Sequence, residues 1–304
     1  MRFLVTGASG LLGACVVLEQ SLRCSIIAAF HQHPVVSGPY ELLSLDITQP
    51  GAVLAAFRQA RPDVVVHTAA LTNVDICEER PADAERINVQ GASAVAAAAQ
   101  AVGATLIHMS TDYVFDGLKG RYTEEDPPHP LGVYARTKRA GEEVVLARCP
   151  GATVVRTTLY GWNGRAKQSF AERVLEGVSG GRPVTAFTDM YWSPILANDL
   201  ADALGRLVER PTPGIFHVAG RERCSRYEFA CAVATAFGHD PSAVRTGRLA
   251  EASLTAPRPP DASLDVSKYE RTFGVTLPTL VEGLARLRCL RDAGYPARVK
   301  SLLA

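Results

Sequence analysis

The 304-residue sequence predicts an α/β chain: a doubly wound parallel sheet with helices on both faces, joined to a smaller C-terminal lobe. Three observations carry the prediction. Short apolar runs recur without polar alternation, as strands buried on both faces require. Helical segments separate these runs in βαβα order. The first run leads directly into a turn with glycines at 7, 10 and 13.

The strands read in order as "RFLVTG" near 2–7, "SIIAAF" near 25–30, "DVVVHTAA" near 63–70, "TLIHMS" near 105–110 and "ATVVRTT" near 152–158. Helices are expected over 11–22, 51–60, 82–102 and 134–149. After about residue 158 the pattern loosens. "PILANDLADALGRLVER" at 194–210 reads as a helix with Asn198 or Asp199 at or near its start, and "GIFHVAG" at 214–220 as a strand that rejoins the sheet. The expected division is therefore 1–158 plus about 194–220 in one domain, with 159–193 plus 221–304 forming the second lobe. Asp116 and the acidic 124–126 segment read as caps and turn residues.

Charged residues make up 21% of the chain and nearly cancel at a net +1, so no global field favours nucleic acid or an anionic membrane. The seven cysteines are scattered and show no C-x-x-C spacing, which argues against a disulfide framework and a structural zinc site. Reduced thiols suit a cytosol. "MRFLVTGASG" is a strand running into glycines rather than a signal peptide, and no apolar run reaches transmembrane length. A soluble, cytoplasmic protein is expected. Cys77 reads as packing, because no histidine partner is evident near it.

The turn "TGASGLLG" joins a strand to a helix. Glycine permits close backbone approach to a diphosphate, and a helix N-terminus presents N–H groups and the positive end of its dipole. The G-x-x-G-x-x-G spacing is one residue looser than G-x-G-x-x-G. It predicts a Rossmann dinucleotide site built from Gly7, Ser9, Gly10, Leu11, Leu12 and Gly13. The second strand ends in "AAFHQHP", without the carboxylate that would bond the ribose 2′-OH of NAD. His31 or Gln32 could donate to a 2′-phosphate, so NADP (as NADPH) is favoured over NAD. His31 and His33 are expected to be surface residues, and no metal site is predicted.

In "YARTK", Tyr134 and Lys138 lie one turn apart on one helix face. Thr111, in "STDYVFDG", follows a strand whose carboxyl end faces the ligand crevice. Reduction of a ketone by a nicotinamide hydride creates an alkoxide that needs a proton. A tyrosine of pKa about 10 holds its proton tightly, and a lysine ammonium one turn away is expected to lower that value. Thr111 would hold the substrate carbonyl.

With these motifs, "LDIT" at 45–48, "HTAA" at 67–70 and "INVQG" at 87–91, the sequence resembles the extended short-chain dehydrogenase/reductase family over nearly its whole length. The resemblance implies adenine contacts from Asp46 and Ile47 and cofactor contacts from Ala69, Ala70, Tyr134 and Lys138. Within the family it is most similar to the dTDP-4-dehydrorhamnose reductases, through "NVDICEERPADAERINVQG", "YTEEDPPHPLGVYARTK" and "RPPDASLDVSKYE". That similarity implies NAD(P)H-dependent reduction of a 4-keto-6-deoxy sugar held as a nucleotide diphosphate. Thr111, Tyr134 and Lys138 would be catalytic. Thr72, Thr111, Asp112, Tyr113, Trp162 and Arg258 would contact substrate, with Arg258 on the diphosphate. Related dehydratases place Asp-Glu after the threonine, whereas here Asp112 is followed by Tyr113, so simple reduction is favoured.

The chain departs from the reductase pattern at "LYGWNG", where Leu159 stands at the tryptophan position and Trp162 comes later, and at "FTDMYWSPI". A reductase of another carbonyl therefore stays open. So does a non-catalytic, NADP-binding regulatory subunit resembling the methionine adenosyltransferase β-subunit. In relatives the Ala-rich 91–104 helix and the YxxxK helix often form a homodimer face, and ordinary internal packing is the alternative.

Overall fold

The computed structural model describes residues 1–36, 38–164 and 167–303. Its centre is a seven-stranded, fully parallel sheet. The strands are β1 (Arg2–Thr6), β2 (Ser25–Phe30), β3 (Glu41–Ser44), β4 (Val64–His67), β5 (Thr105–Met109), β6 (Thr153–Arg156) and the edge strand Gly214–His217. Spatially they run Gly214–His217, β6, β5, β4, β1, β2, β3. The order reverses between β1 and β4, where Thr6 lies opposite His67. Ligands of open α/β sheets bind at such a switch point, beyond the carboxyl ends of the strands.

Alternate residues of each strand feed two separate cores, and this explains the unbroken apolar runs. Phe3, Val5, Ala28, Val66 and Ile107 pack on one face with helix α1 (Leu11–Gln20) and the Ala197–Glu209 helix. Leu4, Ile27, Val65, Leu106 and Val154 pack on the other with Val53, Phe57 and the alanines of the Ala92–Val102 helix. That helix buries Ala92, Ala94, Val95, Ala96, Ala98 and Ala99 within the chain, so internal packing accounts for its composition.

The differences from expectation are local. Strand β3 does not stand out in the sequence because it is an edge strand whose side chains are mostly exposed. The expected 82–102 helix is three pieces: Pro81–Glu85, a π-helical turn at Arg86–Gly91, and Ala92–Val102. The turn carries Asn88, whose amide accepts from the Leu71 N–H at 2.9 Å and donates to the Thr137 hydroxyl at 3.1 Å. A widened turn that aims one side chain at a neighbouring loop is the usual role of a π insertion. The 194–210 segment begins with a short pair, Ile195–Leu196 beside Leu159–Tyr160, and the helix starts at Ala197. Asn198 and Asp199 thus lie inside the first turn, bonded to Glu19 and Arg286 respectively. In the 124–126 segment, Asp126 caps a turn at Thr123, but Glu124 reaches the sheet edge and accepts from the His217 N–H at 2.7 Å.

Outside the sheet, Val184–Phe187 pairs with Val244–Gly247, and Tyr191–Trp192 with Cys224–Ser225. Around them the Phe170–Ser179 and Arg226–Ala236 helices, each opened by a serine–glutamate capping box, enclose a third core. Tyr160, Trp192, Phe229 and Leu287 lie within it. Among the described residues no helix is long and apolar enough to cross a membrane.

Candidate active site

The glycine turn closes the crevice at the switch point. Gly7 has φ +67, and a Cβ there would sit 2.8 Å from the backbone of Ala69 at the end of β4. A Cβ on Gly13 would lie 2.2 Å from the Gly7 carbonyl oxygen. The two positions are closed to any side chain by backbone, which leaves a bare cradle. Gly10 donates to the Gly7 carbonyl at 2.9 Å and caps α1 with no side chain over the first-turn N–H groups of Leu11, Leu12 and Gly13. Ser9 lies within this turn, and Ala70 continues the β4 end. These are the features a diphosphate site needs.

At the far end of β2, His31 Nε2 is 3.9 Å from Asp46 Oδ2. Asp46 Oδ1 accepts from the Thr48 N–H at 2.9 Å and its hydroxyl at 2.8 Å. Partial burial pushes the Asp46 carboxyl up, but the Thr48 bonds and the nearby His31 and Arg86 hold it below its ordinary value. Ile47 packs against Gly91 of the π turn.

Thr111 follows β5 and caps the short Asp112–Val114 turn, accepting from the Tyr113 N–H at 3.2 Å. Its hydroxyl donates to Asp112 Oδ1 at 3.0 Å and lies beside the Tyr134 phenol. Tyr134 opens the Val133–Arg148 helix and meets the Tyr113 ring edge-on at 6.2 Å. Lys138, one turn on, is buried and donates to the Met109 carbonyl at 2.6 Å. Burial pulls its ammonium down to about 8, against the raising charge of Glu142.

One expectation is corrected here. Tyr134 is not held below the usual tyrosine range: burial pushes its phenol up, and Asp112, Tyr113 and Cys77 add to that against the nearby Thr111 hydroxyl. The Lys138 ammonium is engaged by the β5 carbonyl, and the immediate surroundings of the phenol are acidic and aromatic.

The base of the site is a charge pair that the sequence reading passed over. Glu142, one turn past Lys138, receives both forks of Arg156 at 2.9 and 2.7 Å, the Ser110 hydroxyl at 2.6 Å and Arg139 at 2.9 Å. The signal was available, since an arginine inside the apolar run "TVVRTT" needs a buried anion. Arg226 was missed too. It rises from the opposite lobe to the hydroxyl of Tyr113 and the neighbourhood of Asp112, whose carboxyl is pushed up by burial to about 6 against the Arg226 charge.

Arg258 donates to Asp75 Oδ2 at 2.9 Å and to the Ala256 carbonyl at 3.0 Å, and its charge is felt at Tyr113. Thr72 accepts from Lys167 at 3.0 Å. Trp162 is engaged elsewhere: its indole N–H donates to the Leu287 carbonyl at 3.0 Å and its ring packs edge-on against Phe237. The structure thus draws Thr111, Asp112, Tyr113, Tyr134 and Lys138 together beside the glycine cradle, and ties Trp162 into the packing of the second lobe.

The sequence matches the RmlD substrate binding domain over residues 1–290. The chain belongs to that family. It is a member of the extended short-chain dehydrogenase/reductases and an oxidoreductase of the NAD(P)-dependent class. A probable dTDP-4,6-dihydroxy-2-methyloxan-3-one 4-ketoreductase of Streptomyces antibioticus is 35% identical over 298 residues, covering 96% of this chain and 93% of that protein. Methionine adenosyltransferase 2 subunit beta of Rattus norvegicus is 36% identical over 286 residues, covering 90% and 83%. Among solved structures, the dTDP-4-dehydrorhamnose reductase of Bacillus anthracis in complex with NADP superposes with a TM-score of 0.85 at 28% identity, covering 95% and 98%. The chain is thus similar both to reductases and to a protein named as a subunit of another enzyme.

Proposed function

We propose that this RmlD-family protein reduces the 4-keto group of a nucleotide-linked 4-keto-6-deoxy sugar, with NADPH favoured over NADH, in the cytoplasm. The observation that carries the reading is the Tyr134 phenol set beside the Thr111 hydroxyl, one helical turn from Lys138 and next to the glycine cradle. Gly7, Ser9, Gly10, Leu11, Leu12 and Gly13 would hold the dinucleotide, whose contribution when bound is a hydride. His31, with Asp46 and Ile47, would meet its adenosine end, and Ala69, Ala70 and Lys138 its nicotinamide end. The NADP-bound relative supports this cofactor choice.

Thr111 would bond the substrate carbonyl and align it with the phenol. Tyr134, half-buried and with its phenol pushed up, keeps its proton at neutral pH. It can pass that proton to an alkoxide, which is a far stronger base. Arg258, held by Asp75, would meet the diphosphate, with Thr72 and Lys167 on the same side of the crevice. The Asp112–Tyr113 sequence lacks the glutamate that elimination of water would use.

The test is oxidation of NADPH and NADH with dTDP-4-keto-6-deoxyglucose and its C5 epimer, followed at the nicotinamide absorbance. Tyr134→Phe should lose about 10²- to 10⁴-fold in rate with NADPH binding kept. Equal rates in the two proteins would refute the assignment. The likeness to the rat subunit favours one second reading, a regulatory protein that binds NADP without turnover. Tight NADPH binding with no oxidation on any keto sugar would support that instead.

A further inference from the structure

Arg226 is a half-buried arginine at the first position of the Arg226–Ala236 helix, with its guanidinium carbon 3.4 Å from the centre of the Trp192 ring and 5.5 Å from that of Phe170. Stacking on an indole fixes the plane of the fork and leaves its edge N–H groups for acceptors. Among the described residues its side chain faces the Tyr113 hydroxyl, and no carboxylate lies close enough for an ion pair. Asp112 is its electrostatic neighbour without being its salt-bridge partner. A guanidinium fixed on an indole, with its unmatched donors open to solvent, suits an acceptor-rich ligand.

Arg258 shows the contrast. Two of its N–H groups are committed to Asp75 and Ala256. Arg226 instead sits with Tyr113 and Asp112, the residues directly after Thr111, and Tyr113 and Asp112 are also the neighbours of the Tyr134 phenol. The two arginines therefore flank Tyr113, one bound to Asp75 and the other beside the reaction centre.

We propose that Arg226 is a specificity-determining residue that reads the sugar of the bound nucleotide sugar. Its guanidinium donates to ring or hydroxyl oxygens near the reacting carbon, and Asp112 accepts from a neighbouring hydroxyl. The diphosphate is left to Arg258. This inference rests on the reading of the site as a sugar-nucleotide reductase. It predicts that a sugar lacking the oxygen met by Arg226 is bound no better than the bare nucleotide.

The test is calorimetric titration of the full-length protein, with NADP+ present, using dTDP and dTDP-glucose on the parent, Arg226→Met and Arg226→Lys. Arg226→Met should weaken dTDP-glucose about tenfold or more, the usual effect of losing a charged hydrogen bond. Its affinities for dTDP and NADPH should stay within about twofold, which also reports that the variant is folded. Arg226→Lys keeps the charge without the stacked fork and should fall between the two. Equal weakening of dTDP and dTDP-glucose would overturn the inference, because Arg226 would then be reading the diphosphate. No change, or no preference of the parent for dTDP-glucose over dTDP, would overturn it as well. The proposed reaction is judged separately. If the parent reduces neither keto sugar but shows the Arg226-dependent preference, the reaction fails and the inference stands.

Discussion

Arg156→Met offers the strongest test of how the site is supported. Glu142 and Arg156 are 0% and 1% exposed, and the pair forms two hydrogen bonds beneath Lys138. Methionine fills most of the arginine's volume without its charge, so the perturbation is the loss of a counter-ion from a buried carboxylate. Breaking such a pair from one side costs roughly 3–5 kcal/mol. Ser110 and Arg139 still bond Glu142, which places the expected cost near the lower end, about 3 kcal/mol. At roughly 2–4 °C per kcal/mol, the melting temperature should fall by about 6–12 °C. The pH dependence supplies a second readout. In the parent, burial pushes the Glu142 carboxyl up but Arg156 and Ser110 hold it below its ordinary value. Its stabilising contribution is therefore complete above the unfolded value of about 4.3 and is lost only as pH falls through the still lower folded one. In the variant, burial acts with little opposition and the folded value rises, so ionisation costs stability above about 4.3. The gap between the two proteins should be widest at pH 7–8 and narrow towards pH 5. Thermal denaturation across that range measures it. A fall of under about 2 °C, or a gap that does not change with pH, would show that the pair does not stabilise the fold in this way.

Two further predictions concern the crevice. Gly13→Ala places a methyl carbon 2.2 Å from the Gly7 carbonyl, a backbone clash that no rotamer relieves, so NADPH affinity should fall at least tenfold in fluorescence titration, whereas Gly10→Ala, at 3.3 Å, should lose less. The Lys138 ammonium is held down to about 8 from 10.5, so its charge costs stability below pH 8 and that cost fades as pH rises towards 10.5. Lys138→Met should accordingly raise stability by roughly 1–2 kcal/mol at pH 7, with the gain vanishing near pH 10, while catalytic activity is lost. A gain that grows with pH would refute the linkage.

The sheet was legible because burial on both faces writes itself into runs such as "DVVVH" and "SIIAAF". The glycine turn was legible because backbone contact at Gly7 and Gly13 leaves no alternative residue. Strand β3 was not, since an exposed edge imposes no burial pattern on Glu41–Ser44. Tyr134 and Lys138 were legible as a helical pair, but their ionisation was not. It depends on Asp112, Met109 and Glu142, and the last lies at a spacing the reading stopped one turn short of. Arg226 could not be read from its neighbours in sequence, because Trp192 and Tyr113 come to it from distant segments. The indole partner of Trp162, the Leu287 carbonyl, likewise lies far along the chain.

Helix α1 follows the first strand, yet its covering arrives late. Cys15 and Glu19 meet Asn198 of the Ala197–Glu209 helix, Tyr295 lies beside Cys15, and the loop after β2 is held by the Leu302 carbonyl through the Val36 N–H. During synthesis at about 5–20 residues per second, the apolar side of α1 therefore waits for tens of seconds before its partners leave the ribosome. The glycine turn is buttressed only after the Ala197–Glu209 and Tyr295–Leu302 helices have been made. For this chain, vectorial synthesis delivers a nucleotide cradle early and its covering only after the Tyr295–Leu302 helix has emerged. Any chaperone demand should fall on α1, and mutations in the Tyr295–Leu302 helix should lower soluble yield before they touch turnover.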